Sequence, residues 1–158
     1  YGMDHDLFVR IALNYEILKV ENIFSKYRLH GQSKSTAYHI NFAYDWAKVF
    51  SKLLRSFDFT GELITNLQKL QLYDNGNDSY KVKKKKSKND VYIAFLYFLE
   101  AQIHIYYENL DLKKTKQIAS FVKKFNWEFY KSHKIDKIES RAIFLNKPII
   151  KFFRFFTR

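Results

Sequence analysis

The chain has 158 residues, enough to bury a core without covalent staples, and 47% are hydrophobic and 19% aromatic, which excludes an intrinsically disordered chain. Four Gly and one Pro are too few for the many turns of a sandwich or barrel, and the absence of Cys excludes a disulfide framework, a thiolate zinc site and a cysteine nucleophile. The net charge of +12 points to an acidic partner rather than to any particular fold.

The predicted fold class is all-α, a single domain over residues 1–158 built as a bundle of five or six helices. Asp4 or Asp6 caps a first helix running to about Tyr27, with Phe8, Ile11, Ala12, Tyr15 and Leu18 on one face and Val20, Ile23, Phe24 and Tyr27 continuing it. The stretch RLHGQSKS then breaks the pattern. Ser33 or Ser35 caps a second helix to about Phe57, on which Phe42, Trp46, Val49, Phe50, Leu53 and Phe57 repeat at helical spacing. Thr60 reads as the cap of a shorter third helix carrying Leu63, Ile64, Leu67 and Leu70.

Residues 73–89, YDNGNDSYKVKKKKSKN, contain the turn signal Asp74-Asn75-Gly76 and divide the chain into two helical halves. Alternating flanks allow a minor β-hairpin, but an isolated hairpin is marginal in water, so an irregular, flexible Lys-rich loop is preferred. Asp90 then caps a fourth helix that is apolar nearly all round and belongs at the centre of the bundle. Asp111 caps a fifth, antiparallel to the fourth across the tight NLDLKK connection, with Ile118, Phe121, Val122, Phe125 and Phe129 as its inner stripe.

The last segment starts near Lys134, where Ile135, Ile138, Ala142, Leu145, Ile149, Phe152 and Phe156 form a heptad seam. Pro148 kinks it without shifting its phase. On a wheel of about 100° per residue, Lys147, Lys151, Arg154 and Arg158 share an arc of about 60°, a basic stripe opposite a broad apolar face. That segment reads as a last helix docked on the core with its cations outward, ahead of a nucleic-acid-binding stripe or a membrane foot.

Charge is unevenly distributed. Residues 1–80 hold nine basic and nine acidic side chains, residues 81–88 six Lys and no acid, residues 89–111 four acids and no Lys or Arg, and residues 112–158 thirteen basic against three acidic. The whole excess therefore lies in the second half. Six contacts to duplex phosphates would give binding a log–log salt slope of about −5, at about −0.9 per contact. Tyr73 and Tyr80 stand beside the lysine run, where aromatics stack on unpaired bases.

Catalytic signals are few. Glu100, His104 and Glu108 are spaced four apart on the fourth helix, a weak metal candidate that needs a third ligand such as His5, His30, His39 or His133; a solvated strip on an otherwise buried helix is the plainer reading. No His follows an Arg at a separation of four to six residues, the spacing of one class of helical ribonuclease, and no nucleophile elbow, phosphate loop or dinucleotide fingerprint is present. No cofactor is expected and no catalytic residue is assigned.

Nucleic acid or a nucleoprotein complex is the expected partner, met by Lys81, Lys83, Lys84, Lys85, Lys86 and Lys88 together with Lys147, Lys151, Arg154 and Arg158, through backbone neutralisation. The alternatives are a protein-interaction or homo-oligomeric assembly subunit using the aromatic heptad seam, and a small metal-dependent or nuclease-like helical enzyme. The longest apolar run, Val91 to Leu99, is too short to span a bilayer, so integral membrane insertion is not expected. An intracellular setting, cytoplasmic or associated with nucleoid or nucleus, is the default, and heavy use of Lys, Asn, Ile, Phe and Tyr fits an AT-rich genome. The chain opens on Tyr1, which fits a fragment, a processed product or a tagged chain whose natural start is Met3.

Overall fold

The computed structural model describes residues 3–18, 21, 39–83 and 87–144. Among these residues the protein is all-α, with seven helices and no strand. It falls into two compact units, Tyr1–Tyr92 and Ile93–Arg158, whose boundary lies inside a helix.

In the first unit, α1 spans Met3–Asn14 and α2 spans His39–Ser56. Helix α1 ends well before the expected Tyr27, because the Asn14 side chain takes over its last turn: Nδ2 donates to the Arg10 carbonyl at 2.8 Å, and Oδ1 accepts the Lys83 N–H at 2.9 Å. Asp4 and Asp6 sit within its first turn, where carboxylates suit the positive end of the helix dipole, rather than at a cap. The proposed continuation through Val20, Ile23, Phe24 and Tyr27, and the caps at Ser33 or Ser35, lie outside the described residues. Helix α2 buries Ala43, Ala47, Val49, Leu53 and Leu54, and α1 packs against it with Leu13 buried and the His5 ring 4.5 Å from that of Trp46.

Helix α3, Glu62–Lys69, starts without Thr60 as its cap. Gly61 holds that position at φ 74° and ψ −142°, backbone that only Gly adopts readily, and no side chain caps the helix. Leu67 and Leu72 are buried where the helix turns back. With so few glycines, the chain ends its helices on other residues in the left-handed region: Asp58, Gln71, Leu110 and Lys134 have φ of 52°, 51°, 60° and 57°. After Asp58, Gln71 and Leu110 the Schellman bonds close, Phe59 N–H to Leu54, Leu72 N–H to Leu67 and Asp111 N–H to Tyr106.

From Leu72 to Lys83 the chain is irregular, so the hairpin does not form there. Helix α2 supplies the partners its backbone lacks. Arg55 donates from Nε to the Asp78 carbonyl at 2.7 Å and from Nη1 to the Asp74 carbonyl at 2.6 Å. Ser51 and Ser56 accept the N–H groups of Asp74 and Tyr80 at 2.8 and 2.6 Å. Tyr80 closes the arrangement by donating its hydroxyl to Asp6 of α1 at 2.7 Å, and burial with this bond pushes its ionisation upward.

Helix α4 spans Lys88–Glu108 and crosses the boundary between the units. Its cap is Ser87 rather than Asp90: Ser87 Oγ accepts the Asp90 N–H and Asp90 Oδ2 accepts the Ser87 N–H, both at 3.1 Å, a reciprocal capping box. Within the second unit, Phe95, Leu96, Phe98, Leu99, Ile103, Ile105 and Tyr106 are buried, whereas Ile93 and Tyr97 are about half exposed, so the helix is covered on most sides but not all.

Asp111 caps α5, Leu112–Phe125, by accepting the Lys114 N–H at 3.0 Å, and the edge-on contact of Phe95 with Phe125 at 6.1 Å sets α4 and α5 antiparallel. The expected stripe does not continue to Phe129 on that helix. Asn126, with φ −151° and ψ 94°, ends α5 and caps α6, Trp127–Ser132, its side chain accepting the Phe129 N–H at 2.8 Å. Helix α7, Ile135–Phe144, packs on α5 and α6, burying Ile135 and Ala142 of the heptad seam and half-burying Ile138 between them. The rest of the seam from Leu145, with Pro148, lies outside the described residues.

Candidate nucleic-acid interface

In the first unit, Lys81 and Lys83 are exposed on the irregular segment, and Lys83 is fixed through its N–H to Asn14. They line a hollow of about 230 Å³ with Leu7, Arg10, Ile11, Asn14 and Tyr15 of and just after α1, an apolar floor with a cationic rim. Lys88 stands in the first turn of α4, where the helix dipole disfavours a cation; its Nζ is held 3.5 Å from the Asp58 carbonyl and 5.7 Å from the centre of the Phe59 ring. Lys84, Lys85, Lys86, Lys147, Lys151, Arg154 and Arg158 lie outside the described residues. Tyr73 lies beneath the Arg55 guanidinium at 5.5 Å and Tyr80 is tied to Asp6, so both contribute to packing at the place where the sequence suggested base stacking.

The second unit carries a cationic and aromatic cluster that the sequence reading passed over. Lys123 in the last turn of α5, Trp127 at the start of α6 and Lys131 toward its end follow one another at four-residue spacing. Trp127 is 55% exposed, with Lys131 Nζ 5.3 Å and Lys123 Nζ 5.7 Å from the centre of its ring and over it. Beneath it Tyr130, buried, stacks at 5.6 Å and 27° and is held by a short hydrogen bond from its hydroxyl to Glu139 of α7. Burial first, and then that carboxylate, drive the Tyr130 ionisation upward. Lys131 also pairs with Asp136 at 2.8 Å, a bond that holds this carboxyl below its ordinary range. The pattern KKFNWEFYK carries this spacing, but that Trp127 faces outward is decided by the packing of α6 on α5 and α7.

A second aromatic group gathers at the other part of α6. His133 stacks on Phe129 with ring centres 3.8 Å apart, Tyr97 of α4 meets both edge-on, and His133 Nδ1 lies 3.0 Å from Glu100 Oε2. Glu100 is thus joined to His133 rather than to His104, which is exposed, as is Glu108. Among the described residues no three His, Asp or Glu side chains gather where they would hold a metal ion.

Compared with models of known protein families, with curated proteins and with solved structures, the chain matches none. Among the described residues no helix is long and apolar enough to cross a membrane.

Proposed function

We propose that this protein binds nucleic acid, alone or within a nucleoprotein complex, by neutralising backbone phosphates rather than by reading base edges. The observation that carries the reading is the surface of α5, α6 and α7. Between Lys113 and Arg141 seven Lys and Arg side chains are exposed against one exposed acid, Glu128. Helices so unevenly charged raise the local concentration of a polyanion, and Lys81, Lys83 and Lys88 extend the supply of cations in the first unit. Titration with mixed-sequence DNA and RNA at about 50 mM salt, where phosphate contacts are strongest, is expected to show binding that weakens steeply as salt rises. Absence of binding to both under those conditions overturns the proposal.

The apolar side chains of Phe8, Ile17 and Leu18, 63%, 67% and 86% exposed, favour a second reading as an assembly subunit. Light scattering decides the homo-oligomeric form of that reading, and a monodisperse monomer ends it.

A further inference from the structure

We infer that Trp127 is a stacking platform for an unpaired base, so that the strand this protein prefers is a single one. The inference rests on the nucleic-acid reading and adds to it the state of the strand. A tryptophan more than half exposed at the surface leaves a large aromatic area in water, and here the ring is also held in place, by Tyr130 below it and by the bond from Tyr130 to Glu139. Two ammonium groups lie over the ring, Lys123 Nζ from one helix 5.7 Å and Lys131 Nζ from the next 5.3 Å from its centre, both on exposed, flexible side chains that an incoming base displaces toward its own phosphates.

An aromatic plane with mobile cations over it supplies both of the contacts that a nucleotide needs. The base stacks on the ring, the adjoining phosphates meet the ammonium groups, and the fit is indifferent to sequence because every base has a π-face. A duplex satisfies only half of this arrangement, since its phosphates reach Lys123 and Lys131 while its bases stay stacked inside. An acidic peptide likewise uses the cations and leaves the ring without a role. The bond from Lys131 to Asp136 does not oppose the fit strongly: Lys131 is exposed and Asp136 partly so, and a phosphate replaces such a pair at small cost.

The chain has two tryptophans, so Trp46→Phe leaves Trp127 as the sole indole fluorophore. That variant is titrated at about 50 mM salt with oligothymidylate of about 16 nucleotides, and with a duplex carrying the same number of phosphates. Oligothymidylate is expected to quench Trp127 emission and the duplex to leave it nearly unchanged. In the otherwise native chain, Trp127→Ala is expected to weaken oligothymidylate binding about tenfold and duplex binding less than about twofold. Binding of oligothymidylate with Trp127 emission unchanged, or equal loss for both probes in Trp127→Ala, overturns the platform and leaves the nucleic-acid reading standing. Failure of both probes to bind overturns that reading and the platform with it. Should Trp127→Ala lose helical content by circular dichroism, the quenching result decides alone.

Discussion

At the scale of single residues, the chain places side chains where glycine belongs and uses one of its few glycines where nothing else fits. A Cβ on Gly61 would meet nothing within 4 Å, so any penalty for substitution is purely one of backbone conformation. Gly61→Ala is therefore expected to cost about 1–3 kcal/mol, read as a lower urea midpoint. Lys134 is the converse case, an exposed residue at φ 57° between α6 and α7. Lys134→Gly relieves about 1 kcal/mol of left-handed strain, partly offset by the greater freedom of Gly in the unfolded chain, and a net gain of about 0.5 kcal/mol is expected in the same measurement. His5 has a pH signature. Burial against Trp46 lowers its ionisation from the ordinary value of 6.5, only partly countered by Asp4. The folded protein thus takes up a proton at His5 less readily than the unfolded chain, so the contribution of this group to stability is full above about pH 6.5 and declines as pH falls below it. His5→Phe is expected to flatten the fall of the urea midpoint below about pH 6.5 relative to the native chain; an unchanged slope would assign the decline to other groups.

At the scale of elements, the notable one is not a helix but the irregular run from Leu72 to Lys83, whose backbone is bonded to side chains of α2. Local patterns reveal little of this, because the partners of Arg55 are 19 and 23 residues away and their meeting depends on how the chain turns back after α3. Arg55→Met keeps the aliphatic stem and removes two charge-assisted bonds, with an expected loss of about 2–3 kcal/mol. Amide exchange locates the effect: the N–H groups of Asp74 and Tyr80, held by Ser51 and Ser56, should lose protection before those of α2. Where partners are close in sequence, much more was legible. Asp111 caps α5 as its position ahead of an apolar stripe suggests, and the end of α2 falls close to the expected Phe57. The break at Asn126 escaped because Val122, Phe125 and Phe129 continue the helical period straight across it, while the extended backbone of Asn126 and the bond its side chain accepts from the Phe129 N–H mark the start of a new helix. Trp127 escaped with it: on a continuous α5 it would be one more aromatic among many, whereas at the head of α6 it stands exposed between two lysines.

At the scale of the whole molecule, charge is the property that joins the two units without requiring any contact between them, and the salt dependence of binding counts it. Each lysine that neutralises a phosphate contributes about 0.7 to the slope on a single strand and about 0.9 on a duplex. Replacing Lys81, Lys83 and Lys88 together by Gln should then reduce the magnitude of the slope on oligothymidylate by about 2 if all three meet the strand. The fold should tolerate the change. Lys81 and Lys83 are exposed, the Lys83 anchor to Asn14 is a backbone N–H that Gln retains, and at Lys88 the relief of an unfavourable dipole interaction of about 0.3–1 kcal/mol offsets the loss of its contacts with the Asp58 carbonyl and the Phe59 ring. Lys123→Gln with Lys131→Gln, in the second unit, should reduce the slope by about 1.4 and, unlike the first set, also weaken the quenching of Trp127. A slope that falls with the second set and not with the first would confine the strand to α5, α6 and α7 and remove the lysine run from the interface. A fall with both would mean that each unit contributes cations to the bound strand, with the aromatic contact supplied by the second.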